Sequence, residues 1–188
     1  MNNIIKSYIE KLNFSFQMES MKKIETLAFA MHDAWKNKNT IFFCGNGGSA
    51  GNAIHLANDF LYGAGINNGI GLRVESLSAN QSIITCLGND IGYENIYSEQ
   101  LRVKANKKDV LVCLSGSGNS QNIINALKMG NSLEMKTFAI LGFDGGKSKD
   151  LAQNSIHFEI DDMQVSEDMQ MIVGHMCMQW LSKKKTNK

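Results

Sequence analysis

The sequence predicts an α/β protein built on a parallel sheet with helices on both faces. Three observations carry this. Five short apolar runs recur along the chain: "TIFFC" (Thr40–Cys44), "LRVESL" (Leu72–Leu77), "DVLVCLS" (Asp109–Ser115), "KTFAILG" (Lys136–Gly142) and "SIHFEI" (Ser155–Ile160). Segments with helical apolar spacing separate most of them. The first and third runs each end in a Gly/Ser turn that opens such a segment. Strands joined through helices pair in parallel, and near-continuous apolar strands are buried on both faces.

The elements follow in order. Residues 3–36 place Ile5, Tyr8, Ile9 and Leu12, then Met21, Ile24, Leu27, Ala28, Met31 and Trp35 at helical spacing, which predicts one or two amphipathic helices. "KNKN" at Lys36 to Asn39 ends them. The later helical patterns are Ser49–Tyr62, Asn80–Leu87, Tyr93–Ala105, Ser120–Met129, Lys147–Gln153 and a last helix from about Ser166 to Leu181. No linker or low-complexity block interrupts them. The expectation is a single domain over residues 1–188, with a helical region at 1–36 ahead of an α/β core at 40–182.

Composition narrows the function classes. With 188 residues, 43% hydrophobic and 20% charged, the chain can bury a sizeable core. A net charge of +1 argues against a surface that binds nucleic acid or membrane through bulk charge. The basic run at Lys183 to Lys188 is terminal and reads as a solvated tail. Cys44, Cys86, Cys113 and Cys177 form no CxxC pair, and three lie in apolar runs. They read as free thiols in a reducing compartment. No apolar segment is long enough to span a bilayer, and the N-terminus lacks a signal-peptide layout, so the expected location is cytoplasmic.

Two loops carry anion-binding chemistry: "GNGGSA" (Gly45–Ala50) and "SGSGNS" (Ser115–Ser120). Glycines allow close backbone approach, helix N-termini present free N–H groups, and serine hydroxyls add donors. Neither loop matches a nucleotide P-loop or GxGxxG, which disfavours ATP and dinucleotides and leaves a phosphate monoester on a small molecule. Taken singly, each loop also reads as an ordinary helix cap.

His55 and Asp59 are four apart on the helix that the first loop opens and share a face. Glu167 and His175 are eight apart on the last helix, within about 80° of each other around its axis. Two imidazoles and two carboxylates suit zinc. The plain alternatives are a solvated pair for His55 and Asp59, a helix-capping role for Glu167 after Ser166, and a core position for His175 in "IVGHMCMQW".

In "CGNGGSAGNAIHLANDF", "GNDIGYENIYSEQL", "SGSGNSQNIINAL", "LGFDGGK" and "EDMQMIVGHM" the chain resembles the sugar isomerase (SIS) domain family, and within it the phosphoheptose isomerases. The resemblance covers nearly the whole chain. It implies a flavodoxin-like three-layer fold with five parallel strands, and a homotetramer with active sites between subunits. It also implies aldose–ketose isomerisation of sedoheptulose 7-phosphate through a cis-enediol, feeding heptose to lipopolysaccharide, capsule or another surface glycan. By resemblance, Ser49, Ser115, Ser117 and Ser120 hold the phosphate. Asn46, Gly47 and Gly48, with Asn89 and Asp90, line the sugar site. His55, Asp59, Glu167 and His175 fall at the zinc positions, with Asp59, Glu167 and His175 as the catalytic set. The chain departs from the family pattern at three of these places. Asp59 stands where glutamate is usual, Glu167 where glutamine is usual, and Gly116, in the phosphate loop, where threonine is usual. Two alternatives stay open: an isomerase of another sugar phosphate, or a non-catalytic phosphosugar sensor or adaptor like the DnaA-associating SIS protein.

Overall fold

The computed structural model describes residues 1–66 and 69–184. Its centre is a five-stranded, all-parallel sheet in the order β2-β1-β3-β4-β5. The strands are β1 (Ile41–Gly45), β2 (Val74–Ser76), β3 (Val110–Ser115), β4 (Lys136–Leu141) and β5 (Asn154–His157). The helices are α1 (Asn2–Phe16), α2 (Lys23–Asn37), α3 (Gly48–Leu61), α4 (Gln81–Ile91), α5 (Ile96–Lys104), α6 (Gln121–Ser132), α7 (Ser148–Leu151) and α8 (Met163–Ser182). This is the predicted three-layer, flavodoxin-like arrangement.

The apolar strands are buried on both faces because successive side chains point opposite ways. Ile41, Phe43, Val110, Val112, Leu114, Phe138 and Ile140 face a core shared with α2, α3 and α8. Phe42, Cys44, Leu111, Cys113, Ala139 and Leu141 face a second core shared with α5 and α6. Strand β1 pairs with β2 on one side and β3 on the other, so the chain order reverses there. The loops after β1 and β3 therefore open side by side at the carboxyl edge, where open α/β sheets bind ligands.

Several element boundaries differ from expectation. β2 is shorter than its apolar run, and α4 runs on to Ile91, so Asn89 and Asp90 sit on its last turn. The segment after it opens with a single 3-10 turn at Tyr93–Asn95 before α5. α8 starts at Met163, not near Ser166, because the Asp162 carboxylate accepts from the Val165 N–H and caps the helix. Glu167 thus lies beyond the first turn and has no capping role. Tyr8 and Leu12 of α1 pack on the body, but Ile5 and Ile9 are half-exposed. Cys44, Cys113 and Cys177 are buried free thiols, while Cys86 is exposed. No helix among the described residues is long and apolar enough to cross a membrane. The last four residues of the basic tail, 185–188, lie outside the described residues.

Candidate active site

The two Gly/Ser loops close on one cavity of about 280 Å³. Asn46, Gly47, Gly48 and Ser49 line it from the first loop, and Ser115, Gly116, Ser117 and Ser120 from the second. Met163 and Glu167 of α8 complete the wall. Both flanking helices begin without a side-chain cap: α3 at Gly47 and α6 at Ser120. Their first N–H groups and dipoles are therefore open to a ligand anion. Gly47 takes φ 55°, a conformation side chains resist, and this turns the chain out of β1 into α3.

The serines differ in state. Ser115 Oγ accepts from the Gly118 N–H at 3.0 Å and Ser117 Oγ from the Asn119 N–H at 3.3 Å, so each keeps its own proton to give. Ser49 is buried and accepts from Gln170 Nε2 at 3.0 Å. Gln170 is also bound by Asn52, whose Nδ2 donates to Gln170 Oε1 and to the Glu167 carbonyl, both at 3.0 Å. Neither Asn52 nor Gln170 carries a motif of its own in the sequence. The available signal was their spacing, each three residues beyond a candidate (Ser49 and Glu167) on the same helix face. At Gly116 an added Cβ would meet the Met163 sulfur at 2.6 Å, so this thioether fills the space of a larger residue.

A neighbouring hollow of about 530 Å³ shares Ser117 but is lined by Asp144, Glu159 and Asp161. Its three carboxylates disfavour a phosphate more than the 280 Å³ cavity does, where Glu167 is the one acidic lining residue.

Helices α3 and α8 leave this cavity side by side in the same direction: Gly48 lies against Glu167, Ser49 against Gln170 and Leu56 against Gly174. Leu56 occupies the space that a side chain at Gly174 would need. Further along, three predicted ligands converge. His175 Nε2 lies 3.3 Å from His55 Nε2, and Asp59 Oδ2 lies 3.4 Å from each. A tetrahedral zinc ion with bonds of about 2.0–2.1 Å separates its ligand atoms by about 3.3–3.4 Å. The donor set therefore fits one face of such a site and leaves the fourth corner open. His175 is partly exposed, so it is not a core histidine. Glu167 stands apart from this cluster. Its carboxylate lies over Gly48 and has no hydrogen-bond partner among the described residues. Asn89 and Asp90 bond to each other at 2.8 Å, are exposed, and do not line the cavity of their own chain.

A SIS domain family profile matches residues 6–142. The chain is 37% identical over 164 residues to a phosphoheptose isomerase of Akkermansia muciniphila, covering 87% of this chain and 86% of that one. The chain belongs to the SIS domain family, among the phosphoheptose isomerases. A phosphoheptose isomerase of Helicobacter pylori is 36% identical over 172 residues, covering 92% and 85% of the two chains. The solved phosphoheptose isomerase of Neisseria gonorrhoeae superposes with a TM-score of 0.86 at 26% identity, over 97% of this chain and 98% of that one. Family and fold thus agree with what the sequence motifs imply.

Proposed function

We propose that this sugar-phosphate isomerase interconverts sedoheptulose 7-phosphate and D-glycero-D-manno-heptose 7-phosphate with zinc as its metal, in the cytoplasm and as a homotetramer. One observation carries the reading: the Gly/Ser-lined cavity and the cluster of His55, Asp59 and His175 lie along one pair of parallel helices. From Ser49 to His55 the α3 axis advances about 9 Å at about 1.5 Å per residue. Six bonds of an extended chain advance about 7 Å. A seven-carbon sugar held by its phosphate thus reaches toward the cluster, and a triose falls well short.

In this reading Ser117, Ser120 and the N–H groups opening α3 and α6 hold the phosphate, with Ser49 and Ser115 beneath it. His55, Asp59 and His175 hold the zinc, which when bound polarises the oxygens on C1 and C2. Asp59 is engaged with both imidazoles, whereas Glu167 is the unpartnered carboxylate in the cavity wall. Glu167 therefore lies at the phosphate end of the sugar, and the proton transfer from C1 of the open-chain ketose to C2 of the enediol falls to Oδ1 of Asp59, whose Oδ2 faces the imidazoles.

The test is turnover of sedoheptulose 7-phosphate against five- and six-carbon ketose phosphates, with and without added zinc. Asp59→Asn should lower kcat by about 10²-fold or more and lose zinc, read by elemental analysis. Glu167→Gln should instead keep the zinc and change KM more than kcat. Preferred turnover of a shorter sugar would reassign the substrate. Tight phosphosugar binding with no turnover of any of them would make the protein a sensor.

A further inference from the structure

The cavity loops are tied together from behind by a polar network that the functional reading does not use. Asn46 Nδ2 donates to Asn122 Oδ1 at 2.8 Å, and Asn122 Nδ2 donates back to Asn46 Oδ1 at 2.9 Å. The two amides form a closed pair between the first loop and the start of α6. Tyr93 donates its hydroxyl to Asn46 Oδ1 at 3.1 Å. The Tyr97 hydroxyl lies 3.2 Å from the same oxygen and bonds to the Gly45 carbonyl. Ser78 fixes Gly45 from both sides, donating to its carbonyl at 2.9 Å and accepting from its N–H at 3.2 Å. Asn122 and Tyr97 are buried and Tyr93 is exposed.

The inventory of the Asn46 amide decides its role. An amide oxygen has two lone pairs, and Asn122 and Tyr93 fill them. Its nitrogen has two N–H groups, and Asn122 takes one. What remains for a ligand at the cavity is a single N–H donor. With Asn122 in place, turning the Asn46 amide over would set its nitrogen against the Asn122 nitrogen, two donors facing each other in a part-buried network, which is costly.

We infer that Asn122, supported by Tyr93, is a positioning residue that locks the Asn46 amide so that it meets the sugar phosphate only as a hydrogen-bond donor. The inference rests on the proposed sugar-phosphate reading of this cavity. Asn122 itself does not line the cavity, so it acts through Asn46.

The experiment is a double-mutant cycle on the full-length protein with sedoheptulose 7-phosphate, reading KM and kcat separately, and Kd by calorimetry. Asn122→Ala should raise KM about tenfold with kcat within about twofold. In an Asn46→Ala background the same change should have no further effect. Tyr93→Phe, at an exposed ring, should raise KM about threefold, and this too should vanish without Asn46. It carries the test if Asn122→Ala fails to fold. Additive effects of the Asn46 and Asn122 or Tyr93 changes would overturn the inference while wild-type turnover leaves the functional reading standing. Wild-type protein that neither binds nor converts this sugar would overturn the functional reading and, with it, the ligand assigned to Asn46.

Discussion

Single side chains set what the cavity can do. Gly48 is glycine because the Glu167 carboxylate occupies the place of its Cβ. Gly48→Ala should leave folding intact, since alanine suits the start of a helix and the carboxylate is the free end of a flexible chain. It should displace Glu167 in the cavity wall and cut kcat/KM at least about tenfold, a cost that small misplacements in a site impose even away from the reacting atoms. Thermal melting alongside kinetics checks both halves. A melting point lowered by many degrees would mean that the backbone, rather than Glu167, had moved. Asp59, shorter than the glutamate usual in the family, still brings its oxygen to 3.4 Å from both imidazoles. Its missing methylene is no obstacle to a three-ligand face.

Elements set the distances between these groups, and α8 matters most. It carries Glu167 at the cavity and His175 at the cluster. Its first turn is held by Asp162, which caps it and also accepts from Lys11 Nζ of α1 at 2.6 Å. Tyr8 adds a second tie, donating to Asp168 at 2.6 Å. Burial and this carboxylate push the Tyr8 phenol up to about 12, so it stays a neutral donor at ordinary pH. The Lys11 ammonium, and then the Val165 N–H, hold the Asp162 carboxyl below its usual 3.8. A depressed folded-state value stabilises the fold above the unfolded value, and that contribution is lost as pH falls through the folded one. Asp162→Asn should therefore melt below wild type at pH 7, and the gap should close as pH falls below about 4. Melting curves by circular dichroism across pH measure this. A gap that stays constant down to the acid limit would mean that the carboxylate charge is not what anchors α8.

The whole molecule presents an outer face that one chain leaves bare. On α1, Ile4, Ile5 and Ile9 are exposed around a shallow hollow lined by Ile5, Lys6 and Ile9. An apolar stripe on a helix held to the body by only a few side chains is suited to burial against another copy. The proposed homotetramer predicts that Ile5→Asp with Ile9→Asp shifts the protein to smaller species by light scattering, with the circular dichroism spectrum unchanged. A wild-type protein that is monomeric at working concentration would remove the assembly from the proposal.

The sequence by itself determined the layer order, the strands and the two Gly/Ser loops at the strand ends. Their signals are local: apolar runs of strand length, glycines and serines at strand ends, and spacing within one helix. It also placed His55 and Asp59 on one face, because that pairing is set by helical geometry alone. Only the tertiary structure decided which partners meet across elements. It brought His175 to His55 and Asp59 but kept Glu167 at Gly48. It left Asn89 and Asp90 outside the cavity of their own chain, and recruited Asn52, Gln170 and Asn122. Helical phase puts Glu167 and His175 on neighbouring faces, but eight residues also separate them by about 12 Å along the axis. What each one meets depends on the neighbour that packs beside it at that height. Here that neighbour is α3, which runs parallel to α8 at the close approach that Gly174 permits.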